Sequence, residues 1–307
     1  MSGIFSYCSH AVRKHDNRIG MVLLIKDEHD IIEDNIRFHA ANGVDQFIVT
    51  DNGSTDGTRE ILERLTKEFS VHVIDEPSTD FLQAKWTTQM VQLAREKFSL
   101  DWVMCSDADE FWCPKEYNNY KTIFSSKIDS VINFNRLNML MPISAKDTDY
   151  DYADTTLKVI NPVVFDKKSK VVLTHDKLSM SLEKLGNKVA VNPYGLVRVK
   201  AGNHNAKHIN RFNRYLSDDM TVYHYPFRSY ARFQRQVENI ILNINGGKAE
   251  LGQASYRWKE LYEKGQLDEE YERLILNAED ERVLRKYGIL ADDLRIGERI
   301  KSARVCA

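Results

Sequence analysis

Asp107 and Asp109 stand two residues apart at the end of an apolar run, Trp102-Val103-Met104-Cys105-Ser106. Residues two apart on a strand point to the same side. The spacing therefore predicts two carboxylates side by side where a buried strand surfaces. Like charges this close need a cation between them. A hard divalent ion that also binds phosphate oxygens meets that need, and it points to chemistry on a nucleoside diphosphate. An ordinary solvated acidic turn is the plainer alternative for the doublet alone. A second polar stretch, Asp51-Asn52-Gly53-Ser54-Thr55-Asp56-Gly57-Thr58, also follows an apolar run. An acid there can accept hydrogen bonds from a base or a ribose, and the glycines permit close backbone approach. The same octet would serve equally as a capped strand-to-helix connection, with Asp56 or Thr58 as the cap.

The elements that must position these residues follow from apolar periodicity. Gly20–Ile25, Gln46–Thr50, Val71–Ile74 and Trp102–Ser106 read as strands. Between them, a helix from Asp30 to Asn42, one ending near Phe69 and one over Phe81–Phe98 show helical spacing. Strands alternating with helices predict a mostly parallel sheet flanked by helices. In such sheets ligands bind beyond the carboxyl ends of the strands. Three polar breaks fall there, at Lys26-Asp27-Glu28, Asp51 to Thr58 and Asp107 to Glu110, so one sheet edge should gather them. Further strands are expected at Ser130–Phe134, Lys158–Ile160, Val163–Phe165 and Val171–Leu173. From Ser229 onward the pattern is mostly helical.

Composition narrows the class. The 307 residues are 42% hydrophobic and 29% charged, with a formal net charge of -2, so no global basic field recruits nucleic acid. Four cysteines form no Cys-x-x-Cys pair, which argues against a zinc site or a disulfide framework. The first fifteen residues lack a signal-peptide apolar stretch, and no run reaches the ~20 apolar residues of a membrane helix. The expectation is a cytoplasmic protein, with peripheral attachment at the inner face of a membrane left open. Arg282, Arg285, Lys286, Arg295, Arg299, Lys301 and Arg304 are the cations that could rest on an anionic surface. The interspersed Asp292, Asp293 and Glu298 favour an ordinary solvated face instead.

Taken together, these motifs resemble a known family. The octet from Asp51 is similar to the Asp-Asp-Gly-Ser-Thr-Asp-Gly-Thr loop of family 2 glycosyltransferases, which have the GT-A fold. Asp107-Ala108-Asp109 resembles their Asp-x-Asp metal motif, and Lys26-Asp27-Glu28 looks like their Lys-Asn-Glu. His224-Tyr225-Pro226-Phe227-Arg228-Ser229 is similar to a stretch in a subgroup akin to families 2 and 92. The resemblance implies an α/β GT-A domain over residues 1–228 and a helical C-terminal extension over 229–307. It implies a transferase moving a sugar from a nucleotide-sugar donor, a UDP-sugar, to a hydroxyl of a glycan or lipid-linked acceptor. Lys26, Glu28, Asp51, Asn52 and Gly53 would contact the nucleotide; Lys85 could touch a phosphate, Arg228 could hold a phosphate or an acid group of the acceptor, and Asp107 would reach the diphosphate through a metal ion. Asp107 and Asp109 would hold Mn2+ or Mg2+, with His224 as a third ligand. Asn52 and Asp27 depart from the family pattern, yet both keep a hydrogen-bonding oxygen. The family's Glu-Asp base motif is not evident. Glu110 and Asp149 stand as proton acceptors beside Asp147, Asp176, Asp218 and Asp219. Two other readings accompany this one: a sugar-1-phosphate nucleotidyltransferase, which would favour a Gly-rich basic loop after the first strand, and a non-catalytic nucleotide-sugar-binding protein.

Overall fold

Ile19–Ile25 is apolar apart from Gly20 and forms β1, buried at all but one position. A strand buried on both faces belongs at the centre of a sheet. β1 pairs in parallel with β2 (Gln46–Asp51) on one side and β4 (Trp102–Ser106) on the other. β2 in turn pairs in parallel with the half-buried β3 (Val71–Asp75). The connections are the helices α1 (Ile32–Ala41), α2 (Thr58–Leu65) and α3 (Gln83–Glu96). This is the expected alternation, with β4 at its expected bounds and no other end moved by more than four residues. The computed structural model describes residues 17–78, 82–116, 119–125, 127, 129–146, 149–164, 179–210, 214–245 and 253–305. The expected strand at Val171–Leu173, together with Phe165, Asp147 and Asp176, lies outside them.

Beyond β4 the sheet changes character. β5 (Glu110–Pro114), α4 (Tyr120–Ser125) and β6 (Val131–Asn138) follow in the chain, then β7 (Leu157–Val159), β8 (Lys188–Val191), β9 (Leu196–Val199), β10 (Ala206–His208) and β11 (Arg214–His224). β8 runs antiparallel to β4 and to β6. The eight-stranded order is β3-β2-β1-β4-β8-β6-β11-β5, so the sheet is mixed, with its parallel block at one end. β9 and β10 form a separate antiparallel pair.

The chain divides into two compact units. One comprises the described residues of Met1–Pro77, Leu82–Asn135 and Asn187–Val222. Its core packs Met90, Val91 and Ala94 of α3 on Val22, Ile48, Val103, Cys105, Val189 and Val191 of the sheet. Burying a side chain of this kind stabilises by about 1.5–3 kcal/mol.

The other unit combines the described residues of Ser78–Phe81, Arg136–Gly186 and Tyr223–Ala307. It contains α5 (Tyr230–Asn245), α6 (Gln253–Glu263), α7 (Leu267–Leu274), α8 (Ala278–Lys286) and α9 (Arg295–Val305), with β12 (Leu290–Asp292) paired to β7. Periodicity puts a boundary at 228, where helices begin. The contacts group 136–186 with those helices, because Leu140, Leu157, Val159 and Leu182 share a core with Leu276 and Leu290. Asp293, buried, accepts from Lys158 at 2.6 Å, Tyr223 at 2.7 Å and Arg295 at 2.7 Å. Burial works against its charge, but those donors hold it well below the usual carboxylate range. Arg285, Lys301 and Arg304 pair with Asp292, Asp154 and Asp151. Several of the C-terminal cations are thus spent on carboxylates of their own unit. No described helix is long and apolar enough to cross a membrane.

Candidate functional site

The loops after β1 and β2 are stitched together by side chains. Asp27 N–H donates to Ser54 Oγ at 2.8 Å, and Thr55 N–H returns a bond to Asp27 Oδ1 at 2.8 Å. Glu28 N–H donates to Thr58 Oγ1 at 2.8 Å, and His29 reaches Asp56 Oδ2 at 2.7 Å. Asp27 has φ +55, a region that Asn and Asp enter more readily than other residues with a Cβ. That need accounts for Asp where the resembling loops carry Asn. Buried Asp51 ends β2, and its Oδ1 accepts from the Ser54 backbone at 3.0 Å and from its hydroxyl at 2.6 Å. Gly53, at φ +70 with open space around it, gives the turn its exposed backbone. Asn52 has the expected side-chain oxygen and in addition an amide nitrogen, which donates to Glu76 O at 3.1 Å, a bond an aspartate could not make. The cap of α2 also differs from expectation. Gly57 is the N-cap, and Asp56 Oδ1 accepts the Thr58 N–H at 3.0 Å. Burial opposes ionisation of Asp56, but Thr58 and His29 donate to it and hold its carboxyl down to about 2.

On the other side of β1, β4 stops at Ser106, and Asp107–Glu110 is a turn closed by Glu110 N–H to Asp107 O at 3.3 Å. Asp109 thus lies on a turn and not on a strand continuing from Asp107, and its charge still acts on Asp107. The charge expected to fall to a divalent ion is partly met from within. Lys188, fully buried at the head of β8, pairs with Asp107 Oδ2 and, at 3.0 Å, with Glu110 Oε1. An ammonium taken out of water requires such partners. Asn203 Nδ2 donates to the second oxygen, Asp107 Oδ1, at 3.1 Å. Burial raises the Asp107 carboxyl above its ordinary value; Lys188 pulls it down, and Glu110 and Asp109 push it further up.

The turn is held from below by α1. Asn35 Nδ2 donates to Ala108 O at 2.8 Å and to Glu110 O at 2.9 Å. One helical turn on, His39 accepts the Trp112 N–H at Nε2, 3.1 Å, while Nδ1 meets Asn35 O at 2.7 Å. Both residues are wholly buried. Burial lowers the His39 imidazole to about 3, so the ring is neutral and serves as a brace.

Lys26, Glu28, Asp51, Asn52, Gly53, Asp107, Asp109 and Glu110 therefore all sit at the carboxyl edge of the parallel block in one unit. Ile25 pairs with Asp51, and Leu23 with Ser106. The two acid-bearing loops flank β1, two strand spacings or about 10 Å apart. Glu110 is fully buried and accepts from Asp107 N–H at 3.1 Å as well as pairing with Lys188. Lys85 is exposed near the start of α3.

Asp149, His224 and Arg228 belong to the other unit. Asp149 is exposed. Arg228 is buried and donates to Tyr225 O at 2.9 Å. His224 Nδ1 lies 2.7 Å from Asn138 Oδ1, while Asn138 Nδ2 donates to Ser181 O at 2.8 Å. That second bond fixes the amide's orientation. His224 Nδ1 therefore carries a proton and donates it to Asn138 Oδ1. Sequence reasoning missed Lys188, Asn203, Asn35 and His39. A lysine opening an apolar run, Lys188-Val189-Ala190-Val191, and polar residues on a helix's buried side were the signals available.

The donor set fits a hard divalent ion. The carboxylates of Asp107 and Asp109 offer oxygens, and Asn203 Oδ1 beside Asp107 is buried with no hydrogen-bond partner. Each oxygen of Asp107 keeps a further lone pair beyond its present bond.

A family model described as Glycosyltransferase family 92 matches residues 25–245. Among solved structures, S. aureus TarS 1-349 in complex with UDP-GlcNAc is 12% identical, with a TM-score of 0.39 over 77% of this chain and 68% of that one. Glucosyl-3-phosphoglycerate synthase from Mycobacterium tuberculosis, in complex with Mn2+, UDP and glucosyl-3-phosphoglycerate, is 18% identical, with a TM-score of 0.27 over 39% of this chain and 44% of that one. No curated protein matches the sequence.

Proposed function

From the premise that the chain belongs to glycosyltransferase family 92, we propose that it moves a sugar from a UDP-sugar to an acceptor hydroxyl on a glycan or lipid-linked acceptor. Membership sets aside the nucleotidyltransferase reading. The observation that carries the proposal is the pair of acid-bearing loops flanking β1. Asp51 ends β2 in a turn of exposed backbone, and Asp107–Asp109 follows β4. A nucleoside at the first and its diphosphate at the second would span the gap.

In this reading Asp51 takes the ribose or base, with Lys26, Glu28, Asn52 and Gly53 shaping the loop around it. Asp109 and Asp107 hold Mn2+ or Mg2+. The ion's contribution, when bound, is to stabilise negative charge on the departing nucleoside diphosphate. His224 is proposed as the imidazole ligand, supported by the bond that orients its ring on Asn138 and by its family-like motif. Lys188 and Asn203 keep Asp107 aimed, and Glu110 holds the turn instead of taking a proton. Asp149, exposed and ionisable, is retained as the proton acceptor, and Lys85 and Arg228 as anion contacts.

Calorimetric titration of UDP with and without Mn2+ tests the assignment. Binding that needs the metal, and that weakens at least tenfold in Asp51→Ala and Asp109→Ala, is the expected result. Equal UDP affinity in both variants would remove the donor site from this edge.

A further inference from the structure

A cleft of about 390 Å³ opens between α3 and β9, lined by Ala84, Lys85, Thr88, Gln89, Gln92 and Arg198 with Val199. Its charge is one-sided. From Lys184 to Ser217 the sequence holds seven Lys and Arg and no Asp or Glu, and Phe81 to Arg95 is likewise free of acids. Arg198 and Lys207 are direct partners across the β9–β10 pair. Like charges in that position destabilise a ladder. Both are exposed, as are Lys85 and Lys200. Among the described residues none of these four cations has an ion-pair partner. Of these, Lys85 and Arg198 line the cleft and Lys207 lies beside Arg198 on the next strand, so an anion that fills the cleft relieves their repulsion.

The cleft is also tied to the acidic turn. Asn203 bonds Asp107, and its neighbour Gly202 donates to Gln83 Oε1 at 2.9 Å at the start of α3. Val199 N–H donates to Thr88 Oγ1 at 3.0 Å, fixing β9 on the helix. The first residues of α3 add the partial positive charge of a helix N-terminus. Lys85, Thr88, Gln89 and Gln92 recur at helical spacing and so present one polar stripe to the cleft.

We propose that this cleft binds an oxyanion carried by the acceptor, a phosphate or carboxylate, and so selects acidic glycans or phosphorylated acceptors for the reaction. The proposal rests on the glycosyltransferase reading for the word acceptor, and on the cleft alone for the anion.

The test is titration of inorganic phosphate by calorimetry into the full chain with Mg2+ and saturating UDP, which blocks the donor edge. The comparison is the double variant Arg198→Glu/Lys207→Glu, which leaves the donor residues untouched. Phosphate should bind the wild type, and at least tenfold more weakly the variant, with UDP affinity changed less than twofold. Transfer to a uronic-acid oligosaccharide should exceed transfer to its carboxyl-reduced counterpart, and the variant should erase the difference. Equal phosphate binding by both proteins overturns the site. Phosphate binding with no preference for the acidic oligosaccharide leaves only free phosphate as its ligand and overturns the acceptor assignment. Sedimentation with phosphatidylglycerol vesicles in the absence of phosphate binding makes this a membrane surface and overturns it too. Should UDP fail to bind at all, the donor reading falls, while the phosphate titration without UDP still reads the cleft.

Discussion

Replacing Lys188 with methionine keeps the aliphatic stem and removes the ammonium that separates two carboxylates. Lys188 and Glu110 are fully buried, and the Asp107 side chain is 31% exposed. Removing one partner of a buried ion pair costs about 3–5 kcal/mol. Water reaching Asp107 screens part of the penalty, which favours the low end, about 3 kcal/mol. At roughly 2–4 °C per kcal/mol for a unit of this size, the melting temperature should fall by about 6–12 °C. In the double variant Lys188→Met/Glu110→Gln one carboxylate is gone and its amide can donate to Asp107. It should recover about half the loss, since the uncompensated charge and not the lost packing is the cause. Thermal melts at neutral pH measure both. Calorimetric titration with Mn2+ alone adds a readout that packing would not move: the single variant, short of a cation, should bind Mn2+ several-fold more tightly. A single variant that melts within about 2 °C of the wild type, or a double variant no more stable than the single, would refute the claim that Lys188 is the turn's counter-charge.

Asn35→Ala removes two buried bonds to the acidic turn and should cost about 2–3 kcal/mol, with weaker Mn2+-dependent UDP binding; a melt like the wild type's would show that the turn holds itself. Asp109→Ala should abolish the metal dependence of UDP binding while leaving the melt of the free protein nearly unchanged, because Asp109 is only partly buried. The acid limb of stability should carry an Asp56 component. Its folded carboxyl lies at about 2 against 3.8 for the free group, so its contribution is complete above about pH 4 and is lost as pH falls through about 2. Asp56→Asn should flatten that limb in acid melts followed by circular dichroism; an unchanged slope counts against the His29–Asp56–Thr58 lock.

The parallel block was legible because its strands are continuous apolar runs, and its helices repeat at 3.6 residues. Both are local patterns, and with them came the edge where Asp51 and Asp107 emerge. Of the mixed half only β6 was legible, from the apolar run at Ser130–Phe134. β8 contributes four residues, and its antiparallel fit against β4 is a long-range pairing that no periodicity announces. The same holds for Leu140, Leu157 and Leu182, which find their core with Leu276 and Leu290, far along the chain.

What the chain's order of residues determined by itself is the alternation of strand and helix, the polar breaks at three strand ends, and the family-like motifs within them. What only the tertiary structure decided is how the acids there are tolerated. Asp107 and Glu110 meet Lys188 from 81 and 78 positions away in the sequence, and Asn35 holds their turn from 75 positions before Glu110. A buried charge is neutralised by whatever cation the packing brings within about 3 Å. Distance along the backbone carries no record of which residue that will be.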